Sequence, residues 1–311
     1  MMFPDFADRV AAAVAPAVVG QTETLRSMLL AIAVRGHVLL EGPPGVAKTL
    51  LANSLARALS LQFARIQFTP DMLPSDLTGT LTLRGGELVF QPGPVFTNLL
   101  LADEINRTPP KTQAALLEAM QEAQVSVEGK PRPLGDPFCV FATQNPIEYE
   151  GTYPLPEAQL DRFAIRAVVD YPSAEEEAQI VTQAARGVAV SGLEAVVAVA
   201  DGAEIAAVRG EVDATRLSPE VANYIVALVR RTRELPSVAL GASPRAAVHL
   251  TALSRAQACL SGRDFVTPDD VVGMAKPVLA HRLILSPEAS LERYGPEDAV
   301  EAALGSVAVP R

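Results

Sequence analysis

Cysteine, histidine and charge are all scarce in this 311-residue chain, and each scarcity removes a class of protein. Two cysteines, Cys139 and Cys259, lack zinc-type spacing and are too few for a disulfide scaffold, which suits a reducing cytosol. Three histidines, far apart in the sequence, argue against a transition-metal site built by the protein. Charged residues are only 20% of the chain, which excludes a largely disordered polymer. Their balance is acidic, with a net charge of −10, which disfavours non-specific binding to nucleic acid. No apolar run reaches the roughly 18 residues of a membrane span, because charges or prolines interrupt each one. Asp5, Asp8 and Arg9 break the opening residues as a secretory signal, so a cytoplasmic protein is expected.

What the chain does have is hydrophobic content of 49%, enough for two cores, and a change of pattern midway. Short apolar strands alternate with helical periods up to about residue 170, the pattern of a parallel sheet covered by helices. Strands are expected at His37–Leu40, Ala64–Phe68, Leu99–Ala102, Phe138–Thr143 and Phe163–Val168. Two hairpins interrupt the series, one turning at Arg84-Gly85-Gly86-Glu87 and one around Gly129. From Ser173 the strand signals stop and helix starts take over: Ser173 with Glu176, Ser218-Pro219, Ser243-Pro244, and Thr267 with Asp270. The expected division is an α/β domain over 1–172 and a helical domain over 173–311, with the Ala/Val-rich stretch 181–208 the least legible.

Residues 42–49 read Gly-Pro-Pro-Gly-Val-Ala-Lys-Thr directly after the apolar run Val38-Leu39-Leu40. A strand feeding a tight loop that opens a helix is either a plain turn or a cradle for nucleotide phosphates. In a cradle, small residues let backbone N–H groups approach the anion, and the helix N-terminus adds partial positive charge. Lys48 would then reach the β- and γ-phosphates and the Thr49 hydroxyl a Mg²⁺ ion. Ala47 stands where glycine is usual, and a methyl group there is expected to require a negative φ. Leu99–Glu104 is an apolar strand ending in two carboxylates, which a parallel sheet turns toward the ligand crevice. Asp103 is the candidate Mg²⁺ ligand and Glu104 the candidate activator of water. Asn145, one strand later, is a candidate γ-phosphate or water contact, or an ordinary Asn-Pro turn. Arg162 is either a helix-end arginine paired with Asp161 or Glu157, or a cation offered to a neighbouring subunit. Arg245 lies in the first turn of a helix, where a cation is electrostatically misplaced unless it serves an anion. Val19, Gly20 and Gln21 precede a helix and either wall an adenine ring or form a simple turn.

Taken in order, these segments resemble the Walker A, Walker B, sensor 1, arginine finger and sensor 2 elements of the AAA+ ATPases. The wording resembles the MoxR type more narrowly, in Glu41–Thr49, Leu101–Arg107, Pro110–Gln113, Ala142–Pro146 and Glu150–Phe163. In that type alanine is common at the position of Ala47. The resemblance implies a P-loop core with a five-stranded parallel sheet of order 5-1-4-3-2, plus a helical lid. It implies ATP and Mg²⁺ held by Val19–Gln21, Gly42, Pro43, Pro44, Gly45, Val46, Ala47, Lys48, Thr49 and Leu50 with Asp103, and catalysis by Glu104, Asn145, Arg162 and Arg245. It also implies a homo-oligomeric ring, usually hexameric, with Arg162 acting on the neighbour's ATP and the two hairpins directed at the pore or a substrate. The implied role is a chaperone-like remodeller of partner complexes, often with a partner carrying a von Willebrand factor A domain. The alternative within the same clade is the motor subunit of a metal chelatase. A nucleic-acid motor would need a basic stripe, and Arg230, Arg231 and Arg233 read as a solvated helix face.

Overall fold

The computed structural model describes residues 2–144, 153–185 and 192–310. Five parallel strands form the central sheet: β1 (Val38–Glu41), β2 (Phe63–Gln67), β5 (Leu99–Asp103), β8 (Cys139–Gln144) and β9 (Ile165–Val168). They lie side by side as β2-β5-β8-β1-β9. Counting only these five along the chain, that is the expected 5-1-4-3-2 read from the opposite edge.

Strict alternation along the strands explains why the sheet needs cover on both faces. Val38, Leu40, Leu99, Leu101, Cys139 and Phe141 feed one apolar cluster. Leu39, Leu100, Ala102, Val140 and Ala142 feed the other. The second cluster is closed by α5 (Pro110–Glu122), through Leu116, Leu117 and Met120, and by Leu77 of the short α4 (Pro74–Thr78). The first is closed by α1 (Met2–Val14), α2 (Thr22–Ala33) and α3 (Lys48–Ala58). Helix α1 buries Phe3, Phe6, Val10 and Val14, a spacing of three and four residues that makes a single apolar stripe.

Both hairpins form. Strand β3 (Gly79–Arg84) pairs with β4 (Glu87–Pro92), closing on Gly85 and Gly86 at φ 60° and 87°. Positive φ at both central residues matches the right-handed strand twist, which is why Gly-Gly works here. Strand β6 (Gln124–Val127) pairs with β7 (Lys130–Pro133) through Glu128 and Gly129, also at positive φ.

After β9 come α7 (Ala174–Ala185), α8 (Gly202–Ala214), α9 (Pro219–Thr232), α10 (Pro244–Leu260) and α11 (Pro268–Leu279), followed by α12 (Pro287–Leu291) and α13 (Pro296–Ser306). The expected caps are in place. Ser173 and Glu176 exchange backbone and side-chain bonds, Ser218 accepts from Val221 N, Ser243 from Arg245 N, and Thr267 boxes with Asp270. Strand structure does not stop at Ser173, however. Strands β10 (Val238–Leu240) and β11 (Ile284–Leu285) pair antiparallel within the helical region. Two or three residues are too few to show a period of two, so the sequence hides them. Helices α8, α10, α11 and α13 share the same apolar cluster as α1, α2 and α3. Among the described residues no helix is long and apolar enough to cross a membrane.

All three histidines serve the interior as neutral rings. His37 donates from Nε2 to Met120 O and accepts Val140 N at Nδ1, both at 3.0 Å, tying α5 to β8. His249 Nδ1 accepts from Arg282, and His281 Nε2 donates to Phe163 O at 3.1 Å. Burial lowers His37 to about 4, while burial and then the Arg282 charge lower His249 to about 3. His281 is likewise held far below the ordinary value by burial and Arg282. An unfolded chain therefore takes up protons below pH ~6.5 that the folded chain refuses, so acid favours unfolding and stability rises with pH through this window. We expect urea-unfolding free energy to be flat near pH 7–8 and to fall as the pH drops from about 6.5 toward 4, by up to about 3 kcal/mol for His37 alone. A stability unchanged between pH 7 and 5 would show that these rings are charged in the fold.

Candidate nucleotide site

Strand β1 ends at Glu41 and delivers Gly42 beneath β9. A Cβ on Gly42 would stand 2.1 Å from Val169 O, so only glycine lets the loop start here. Gly45 follows at φ 84°, and a Cβ placed there would meet nothing within 4 Å, leaving its side of the loop open. Helix α3 then begins at Lys48, its free N–H groups facing the loop. Lys48 Nζ donates to Gly42 O at 2.7 Å, and its pKa is lowered by partial burial, an effect offset by the charges of Asp103 and Glu104.

Ala47 departs from expectation. Its φ is 62° and ψ 22°, left-handed rather than negative. The loop must reverse into the first turn of α3, and that geometry prevails over the preference of a side chain with a Cβ, at a cost of roughly 1–2 kcal/mol. Replacing Ala47 by glycine removes that strain but gives back roughly 0.4–1 kcal/mol of unfolded-chain entropy. The Ala47→Gly protein should be more stable by about 0.5–1 kcal/mol, read as a higher urea midpoint. A lower midpoint would mean the methyl group contributes packing that outweighs the strain.

A cavity of about 490 Å³ lies over this loop, with Pro44, Lys48, Thr49 and Leu50 on one side and Asp103, Glu104 and Thr143 on the other. The parallel register sets the far wall: Gln67 of β2 sits opposite Asp103 of β5. Thr143 of β8 organises the acidic pair. Its hydroxyl donates to Asp103 Oδ1 at 2.5 Å and accepts from Glu104 N at 2.9 Å. Arg65 Nη2 donates to the other Asp103 oxygen at 2.7 Å. Glu104 adopts φ 57°, and its Oε2 receives the Gln67 amide at 2.5 Å and Arg107 Nε at 3.2 Å. Arg65, Gln67 and Thr143 carried no expectation of their own, although polar Arg65 and Gln67 on either side of buried Ile66 mark a strand end with one face on the crevice.

The Thr49 hydroxyl and the Asp103 carboxylate are hard oxygen donors lining the same cavity. That donor set fits Mg²⁺ bound with waters and phosphate oxygens. A cation held by Asp103 would compete with Arg65 for the carboxylate.

The remaining candidates lie elsewhere. Asn145 falls outside the described residues. Val19, Gly20 and Gln21 join α1 to α2. Gln21 Nε2 donates to Asp170 O at 3.3 Å, one residue past the carbonyl that abuts Gly42, so this turn borders the start of the loop. Arg162 does not line the 490 Å³ cavity. It borders a separate one of about 450 Å³ between α5 and the short α6 (Glu157–Leu160), with Nη1 donating to Leu117 O at 3.1 Å and to Gln121. Arg245 is also off the phosphate cavity, its guanidinium 3.9 Å from Asp161.

With this geometry in view, residues 37–165 match the ATPase family associated with various cellular activities (AAA), and residues 230–303 match the AAA lid domain. The chain is 43% identical over 305 residues to Chaperone MoxR1 of Mycobacterium tuberculosis, covering 94% of this chain and 80% of that one. It is 34% identical to Protein MoxR of Paracoccus denitrificans, covering 94% and 93% respectively. The chain belongs to the MoxR family of AAA+ ATPases. An uncharacterised Bacillus subtilis protein, YeaC, is 46% identical to it over 94% of this chain and 91% of its own. A crystal structure from Cytophaga hutchinsonii assigned as an ATPase superposes with a TM-score of 0.92 at 39% identity, covering 99% of this chain and 96% of the other. Within the MoxR family frame, the ATPase match contains Lys48, Asp103, Glu104 and Arg162, and the lid match contains Arg245 and Arg282.

Proposed function

We propose that this protein is a Mg²⁺-dependent ATPase that works as a chaperone-like remodeller, with a core over 1–172 and a lid over 173–311. The observation that carries the reading is the single cavity shared by Lys48, Thr49, Asp103 and Glu104, with the Thr143 hydroxyl bonded to both acidic residues. In this reading the loop Gly42–Thr49 binds the triphosphate through backbone N–H groups, and Val19–Gln21 border the base. Lys48 leaves Gly42 O for the β- and γ-phosphates. Mg²⁺, when bound at Thr49 and Asp103, supplies charge neutralisation at the phosphate oxygens. Glu104, oriented by Gln67 and Arg107, accepts the proton of the attacking water. Asn145 contacts the γ-phosphate or that water.

Arg162 and Arg245 stand away from the chain's own cavity, which supports a role on a neighbour's nucleotide and hence a homo-oligomeric ring, hexameric as is usual for the clade. The relative named Chaperone MoxR1 supports the remodelling role. A partner with a von Willebrand factor A domain and a cytoplasmic location complete the proposal. The test is phosphate release from ATP by the purified protein, expected to need Mg²⁺ and to stop on chelation, followed by capture of partners from a lysate by the ATP-loaded Glu104→Gln protein. Hydrolysis indifferent to chelation would remove Thr49 and Asp103 as metal ligands. Equal capture with and without ATP would remove the remodelling reading.

A further inference from the structure

Arg162 is divided between the two halves of the molecule. Its side chain rests on the core, at Leu117 O and Gln121 of α5. Its backbone is bracketed by the helical half. The Arg282 side chain is 1% exposed and donates to the carbonyls on either side of it, Asp161 O at 3.1 Å and Phe163 O. Arg282 Nε also donates to Asp161 Oδ1 at 2.9 Å. Ser243 Oγ, at the cap of α10, donates to both Asp161 oxygens at 2.9 Å, and His281 holds Phe163 O. Arg245, two residues after Ser243, faces the same carboxylate at 3.9 Å. A guanidinium buried to this degree keeps its charge only with a matched carboxylate, and Asp161 is that carboxylate. Burial lowers Arg282 to about 10, so its guanidinium stays charged at neutral pH.

The segment Asp161–Phe163 is therefore shared: the lid grips its carbonyls and the Asp161 carboxylate, while the Phe163 side chain is buried in the second apolar cluster of the sheet. A displacement of lid against core is therefore transmitted through Asp161 to the backbone beside Arg162, while α5 retains a hold on the Arg162 side chain. We propose that Asp161, gripped by Arg282 and Ser243, is a positioning residue that makes the aim of Arg162 at a neighbouring nucleotide depend on the placement of its own lid. This rests on the reading of Arg162 as a group acting between subunits.

The test uses the full-length protein with Asp161→Asn, Ser243→Gly, Arg162→Ala and Glu104→Gln, alone and in equimolar mixtures. Ser243→Gly deletes the hydroxyl that holds Asp161 yet keeps an adequate helix cap, at a cost of only a few tenths of a kcal/mol. Asp161→Asn should lower kcat at least about tenfold, and Ser243→Gly about threefold, with KM for ATP and affinity for a fluorescent ATP analogue within about twofold of the parent. Mixing Asp161→Asn with Glu104→Gln should restore turnover, because intact sites then meet intact fingers at about a quarter of the interfaces of a randomly mixed ring. A merely structural role would impair the chain's own site and give no rescue. Rescue of Arg162→Ala by Glu104→Gln without rescue of Asp161→Asn overturns the clasp alone. Failure of both mixtures overturns the role of Arg162, and the clasp with it. If Asp161→Asn does not fold, a Ser243→Gly protein with unchanged kcat overturns the proposal.

Discussion

Glutamine at position 104 should leave ATP binding intact and reduce hydrolysis by about 10²–10⁴-fold, the range for loss of a positioned general base. The substitution is isosteric, so the backbone at φ 57° and the bond from Glu104 N to Thr143 persist. In the proposed role the lost carboxylate takes the water's proton, and it is already aimed by the Gln67 amide and Arg107. Removing one negative charge beside a triphosphate does not weaken its binding, so affinity for a fluorescent ATP analogue should hold or rise. Single-turnover hydrolysis with Mg²⁺ measures the chemical step directly. Turnover near that of the parent would show that another group activates water and that Glu104 is only part of the acidic rim.

Truncation of Arg162 should produce the larger loss, about 10³–10⁵-fold in kcat, if it neutralises charge developing on a neighbour's γ-phosphate. Arg162 lies outside the 490 Å³ cavity of its own chain, so the variant should bind ATP normally in isolation. The deficit should appear as kcat rather than KM. Lysine at 162 should recover little, since a single ammonium cannot reproduce the planar fork of a guanidinium. Parent-like activity that does not depend on protein concentration would place the whole site within one chain.

The phosphate loop, the acidic strand end and the alternation of strands and helices were legible because each depends on residues close in sequence. The Gly85-Gly86 turn and the caps at Ser173, Ser218, Ser243 and Thr267 belong to the same class, being set within three or four residues. The bonds from Thr143, Arg65 and Gln67 were not legible, because they join three separate strands and depend on register across the sheet. Ala47 misled for another reason. Its side chain argues for negative φ, but the turn into α3 imposes the opposite sign. Arg245 reads in the sequence as a misplaced cation at a helix N-terminus, and only the tertiary arrangement shows the Asp161 carboxylate 3.9 Å from it. The β10–β11 pair was too short for its own periodicity to register.

The apolar cluster that runs from α1, α2 and α3 into α8, α10, α11 and α13 has a bearing on how the molecule comes apart. Two bodies joined by a bare hinge melt separately, each at its own temperature. Here the helices of the C-terminal half are seated on those flanking the sheet, and Phe3, Phe6 and Val10 at the very start of the chain share a core with Leu250 and Leu253 of α10 and with Val300 and Ala303 of α13. Loosening either half strips apolar cover from the other, so the chain is built to melt in one cooperative step. An N-terminal helix that sequence position alone would mark as dispensable is thereby a keystone of the whole.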